Sequence, residues 1–152
     1  MERIASFSVN HDLLEKGVYI SRVDGDVVTY DIRMKRPNLG DYLSNGQLHT
    51  FEHLFATYAR NTPFSGDVIY VGPMGCRTGF YFLVRNKISH AQMLAILKES
   101  LDFIIGFTGE IPGSRREECG NYLEHDLEGA KAAAEEMRGV LAEWSEEKMR
   151  YI

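Results

Sequence analysis

Residues 49–53 read HTFEH and place two imidazoles and a carboxylate within five positions. On a helix, at about 100° per residue, His49 and His53 lie about 40° apart on one face. Glu52 falls within about 60° of His49 on that same face. Imidazoles at i and i+4 can both reach one divalent ion at ~2.1 Å. A carboxylate beside them can move protons without holding the ion. An exposed polar helix face would use the same residue types, but it does not require this spacing.

An open catalytic site needs a third protein ligand and one position left for water or substrate. Cys119, Cys76 and Glu128 are the candidates. Cys119 lies in REECGNY, before the final helical pattern, and Cys76 lies in PMGCRTG, a break between two apolar runs. A single cysteine is more often a small buried hydrophobe than a ligand. Both cysteines, however, stand beside glycine in irregular segments, where side chains are commonly aimed at sites. Glu128 would complete the ligand set of a peptidase class that shares H-x-x-E-H. That reading leaves both thiols idle and needs more chain to enclose a peptide. Residue type and spacing leave the third ligand open.

The elements that must position these groups follow from periodicity. Val18 to Val23 and Val27 to Met34 are β-branched runs around Asp24-Gly25-Asp26, a hairpin signal. Arg36 to Gly46 reads as loop. Ser44 and Gln47 have capping-box spacing, which predicts a helix from about Gln47 to Asn61 with Leu48, Phe51, Phe55 and Tyr58 on its apolar side. Asp67 to Val71 and Thr78 to Val84 read as strands on either side of Cys76. Ser89 and Gln92 open a second helix through about Ile105. The last helix carries Leu127, Ala130, Ala134, Met137, Leu141 and Trp144 on one stripe, expected to pack on the sheet. Hairpins with irregularly placed helices predict an α+β fold with a mainly antiparallel sheet, one domain over 1–152.

Composition narrows the class. The 152 residues are 44% hydrophobic and 26% charged, which is globular composition for one domain. A net charge of −5 without a basic cluster argues against nucleic acid. No apolar run reaches the ~18 residues of a membrane span. MERIASFSVNHDL lacks the apolar core of a signal peptide, so a soluble cytoplasmic protein with free thiols is expected.

Beyond the single motif, an ordered series runs along nearly the whole chain. It comprises SFSVNH (6–11), YDIRMKRPN (30–38), LHTFEHLFATYARN (48–61), GPMGCRTGFYF (72–82), ECGNY (118–122) and HDLEGAK (125–131). This series resembles the S-ribosylhomocysteine lyase (LuxS) family. The resemblance implies that His49, His53 and Cys119 bind the metal, with water in the fourth position. It implies Fe²⁺ as the working ion, which Zn²⁺ or Co²⁺ can replace. It makes Cys76 the catalytic thiol, Glu52 the second acid/base, and Ser6, His11 and Arg33 substrate-binding residues. It also implies a homodimer with sites at the subunit interface.

The implied reaction opens S-ribosylhomocysteine to its linear aldose, moves the carbonyl from C1 to C3, and eliminates homocysteine. The other product is 4,5-dihydroxy-2,3-pentanedione, the precursor of autoinducer-2. Every proton removed sits next to a carbonyl, so a Lewis acid and a proton-moving carboxylate suit it. The chain departs from the family pattern at Arg77, where GCRTG stands for GCQTG, and at Tyr70 and Gly72. None of these is a proposed ligand or acid/base group.

Overall fold

The computed structural model describes residues 1–152. Strands β1 (Gly17–Asp24) and β2 (Val27–Arg33) form the expected hairpin, with Gly25 at φ 59 in the turn. Helix α1 (Asn45–Ala59) follows, then β3 (Val68–Pro73), β4 (Gly79–Arg85), α2 (His90–Ile105) and α3 (Leu127–Val140). The sheet order is β1-β2-β4-β3 and every pair is antiparallel. The fold is α+β, as the hairpin pattern predicts.

Alternation along the central strands decides where the core lies. Val28, Tyr30 and Ile32 of β2 pair in register with Val84, Phe82 and Phe80 of β4, and all six are buried. They meet Phe51, Leu54 and Phe55 of α1. Phe51 stacks on Phe80 at 4.9 Å and Phe55 lies 5.0 Å from Phe82. Truncating any of these rings to alanine should cost about 3–5 kcal/mol. This anchor fixes the outward rotation of α1, and so the direction of its histidines. Leu48 and Tyr58, expected on the buried side, are only partly covered.

Both predicted capping boxes are formed. Ser44 accepts from Gln47 N while the Gln47 side chain returns to Ser44 N, and Ser89 and Gln92 repeat the arrangement. Helix α1 therefore starts where its cap dictates, two turns before Glu52.

The final helix corrects one expectation. Helix α3 packs mainly against α1 and α2, within the helical layer, rather than on the sheet. Its apolar stripe buries Ala130, Ala134 and Met137, and small residues there allow close helix approach. The helix ends at Val140, and Trp144 lies beyond it. Trp144 reaches β1, donating Nε1–H to the Val18 carbonyl at 3.1 Å. No helix is long and apolar enough to cross a membrane.

Candidate metal centre and active site

Helix α1 presents His49, Glu52 and His53 on its partly exposed side. Each histidine is oriented by a loop carbonyl. His49 Nδ1 lies 2.8 Å from Glu124 O, and His53 Nδ1 lies 2.8 Å from Pro112 O. A carbonyl only accepts, so both Nδ1 atoms carry hydrogen, and in the neutral ring the lone pair is then on Nε2. Such a bond on the far nitrogen is what fixes a metal-binding imidazole. The two rings stand edge to face with centroids 4.7 Å apart.

The loop before α3 brings Cys119 to them. Its Sγ lies 3.4 Å from His49 Nε2. Nitrogen and sulfur ligands on one tetrahedral ion would be ~3.6 Å apart. One ligand-capable atom each from His49, His53, Cys119 and His125 fall within 4.8 Å of one another, a group that could hold a metal ion. Glu128, the third ligand of the peptidase reading, is exposed in the first turn of α3 and outside this group.

His125 is the member that spacing does not reveal, because it stands 75 residues beyond Thr50, its partner on α1. Its ring stacks on His49 at 3.9 Å and meets His53 at 4.9 Å. Burial, with the charges of His49 and His53, pushes its pKa down to about 4, so it is neutral near pH 7. Its Nε2 is buried without a hydrogen-bond partner. An orphaned nitrogen beside two other imidazoles and a thiol is consistent with a site built around a further group.

Gly113 shapes the wall behind His53. It has φ +69, and a Cβ there would lie 3.3 Å from His53 Nδ1. Glu52 and His53 open onto a cavity of about 390 Å³, also lined by Thr57, Arg60, Tyr70 and Gly113. Tyr70 also lines a second cavity of about 340 Å³ with Ser6, Ser21, Gly72 and Tyr81.

Cys76 belongs to a separate group, at the exposed tip of the β3–β4 hairpin. The tip is closed by Met74 N to Gly79 O at 2.9 Å and Arg77 N to Met74 O at 3.0 Å. Cys76 Sγ lies 3.0 Å from Thr78 Oγ1. Thr78 Oγ1 accepts from Arg33 at 2.7 Å, which leaves its own proton to donate to the sulfur. Arg33 is 3% exposed and grips Asp31 through two bonds of 3.1 and 2.7 Å. Tyr151 donates to the same carboxylate at 2.7 Å.

Among the predicted substrate-binding residues, Ser6 lines the second cavity. Arg33 is fully engaged inside the chain and reaches Cys76 through Thr78. His11 lies in the N-terminal arm, its Nδ1 on Val9 O at 2.9 Å, and is a member of neither group. Arg77 points from the thiol toward the preceding loop, donating to Leu43 O at 3.3 Å and lying over Tyr42. The guanidinium linked to the thiol is therefore that of Arg33.

Comparison with known proteins agrees with the residue series. The family model described as S-Ribosylhomocysteinase (LuxS) matches residues 4–148. S-ribosylhomocysteine lyase of Porphyromonas gingivalis is 46% identical over 157 residues, covering 99% of both chains. That of Clostridium acetobutylicum is 43% identical with the same coverage. That of Borreliella burgdorferi is 37% identical, again covering 99% of each chain.

Proposed function

The chain belongs to the S-ribosylhomocysteinase (LuxS) family, and on that premise we propose that this carbon–sulfur lyase cleaves S-ribosylhomocysteine to homocysteine and 4,5-dihydroxy-2,3-pentanedione. The observation that carries the reading is the convergence of His49, His53 and Cys119, with Nδ1 of both histidines engaged by carbonyls, which leaves Nε2 for an ion.

These three residues would hold one divalent ion per subunit, and we assign Fe²⁺, with Zn²⁺ and Co²⁺ as substitutes. The ion, when bound, supplies a Lewis acid for a carbonyl next to the carbon that loses its proton. Glu52 adjoins His53 at the mouth of the cavity. From there it carries protons between the oxygens of the sugar chain and takes the proton that precedes loss of the thiol. Cys76 is the base for the first carbon-bound proton, as its thiolate. The Thr78 hydroxyl donates to that sulfur, and Arg33 fixes the hydroxyl. Ser6 and His11 would bind the substrate, and Arg33 would orient the thiol through Thr78.

Cys76 and the histidine cluster stand as two groups with no hydrogen bond between them. The helical layer lies on one face of the sheet, with α1 against β3 and α3 packed on α1 and α2. The other face carries Thr29, Tyr81, Leu83 and the 54% exposed Tyr70. We place a second copy of the chain on that face, making a homodimer whose interface completes the sites. Two thiols kept reduced for work fit a cytoplasmic enzyme. The product would serve as autoinducer precursor, and homocysteine would return to methionine.

The test is thiol release. Protein loaded anaerobically with Fe²⁺ should free homocysteine from S-ribosylhomocysteine, and Glu52→Ala should not. A loaded, folded parent protein that frees no thiol would remove the assignment.

A further inference from the structure

Hydrogen-bond accounting at His125 differs from that at its two neighbours. His49 and His53 donate Nδ1–H to carbonyl oxygens. His125 Nδ1 instead meets the Thr50 hydroxyl, at 2.9 Å. That oxygen already accepts the backbone N–H of Asp126, also at 2.9 Å. Its own proton has one partner, His125 Nδ1. Nδ1 is therefore the acceptor, and Nε2 carries the hydrogen.

That Nε2–H is the one buried side-chain polar atom in the chain without a partner. A buried donor left unsatisfied is destabilising, and such atoms mark a missing partner. The Cys119 sulfur belongs to the same cluster, yet it does not form a hydrogen bond with this nitrogen. A protonated Nε2 also has no lone pair for an ion. What fits is an acceptor that arrives with the ligand.

We propose that His125 is a further working residue of the centre, and that its Nε2–H donates to an oxygen, of water or of substrate, held among His49, His53 and Cys119. This rests on the metal-centre reading above. Stacking on His49 and the bond from buried Thr50 fix the ring in place. His49, His53 and Cys119 would then hold the ion and leave one position open, and His125 would orient what enters it. A fourth histidine so close would otherwise close the site.

The experiment uses Co²⁺ loading of the full-length parent, His125→Phe and His125→Gln. Phenylalanine keeps the stacked ring and removes the donor, whereas glutamine returns an N–H near Nε2. Bound Co²⁺ is counted per chain. The sulfur-to-cobalt charge-transfer band reports Cys119, and the d–d bands report the open position. We expect His125→Phe to keep one Co²⁺ and the charge-transfer band, with shifted d–d bands. Its kcat should fall about 10- to 100-fold with a smaller change in KM, and His125→Gln should recover part of both signals. Loss of Co²⁺ from both folded variants would make His125 a ligand and overturn the proposal. Unchanged d–d bands and kcat in His125→Phe would equally overturn it. A parent protein that binds no Co²⁺ would remove the metal-centre reading itself, an outcome distinct from the other two.

Discussion

Cys119 Sγ and His49 Nε2 lie 3.4 Å apart although 70 residues separate them in the chain. On the proposed function this contact gives the two thiols different work. Cys119→Ala removes a proposed ligand, so metal content and turnover should both be lost. Cys76→Ala leaves the cluster whole, so the protein should keep its metal and lose turnover. Metal analysis of the two purified variants checks this, and the reverse pattern would mean that the thiols are assigned the wrong way round.

Thr78 couples the Cys76 thiol to the buried Arg33–Asp31 pair. Thr78→Val keeps the shape but removes both the donor to sulfur and the acceptor for Arg33. Alkylation of Cys76 by iodoacetamide at neutral pH should slow several-fold, on the order of the effect of one hydrogen bond worth about 1 kcal/mol. An unchanged rate would show that the hydroxyl does not support the thiolate.

Gly113 combines a left-handed backbone with contact on His53. Gly113→Ala should cost about 1–2 kcal/mol from backbone strain. It should also weaken metal retention, because the new methyl presses on the ring that Pro112 orients. Chelator competition and thermal melting read the two effects separately.

Gly72 makes room for the Tyr70 ring, since a Cβ there would lie 2.4 Å from Tyr70 Cε2. Tyr70 is exposed and its ring can swing, so Gly72→Ala should change the melting temperature little. The ring lines both cavities, so KM should rise more than kcat falls. Equal loss in both would place Tyr70 outside substrate binding.

Glu136 holds Lys16 and Lys35 together, tying α3 to the β1 approach and to the loop after β2. Burial alone would raise its pKa, but the bonds from Lys16 and Lys35 outweigh that and hold it below the usual carboxylate value. A depressed folded pKa contributes stability above the unfolded value and loses it as pH falls through the folded one. Glu136→Gln should therefore destabilise the protein at pH 7 by about 1 kcal/mol, a figure reduced for partial exposure. That difference should shrink as pH falls through and below the usual carboxylate range, as urea titrations at neutral and acid pH would register.

Much of the site could be read in the sequence because its parts are local. His49, Glu52 and His53 share one turn, and the caps at Ser44 and Ser89 announce their helices through i, i+3 spacing. The β-branched runs around Asp24-Gly25-Asp26 announce the β1–β2 hairpin for the same reason. What periodicity could not supply was long-range partnership. His125 joins the cluster through the hydroxyl of Thr50, a residue that reads as an ordinary helix position. The resemblance makes Arg33 a substrate-binding residue, and its bonds to Asp31 and Thr78 come from the fold. The α3 stripe fixed which side of the helix is buried, but not that α1 and α2 would cover it.

The central claim is that an ion held by His49, His53 and Cys119 carries the cleavage of S-ribosylhomocysteine. The most direct measurement titrates metal-free protein with Fe²⁺ under anaerobic conditions while following homocysteine release. The rate should rise in proportion to bound iron, level off at one ion per chain, and fall to background when a chelator removes it. Thiol release that does not depend on bound metal, or its absence from the fully loaded protein, would contradict the account.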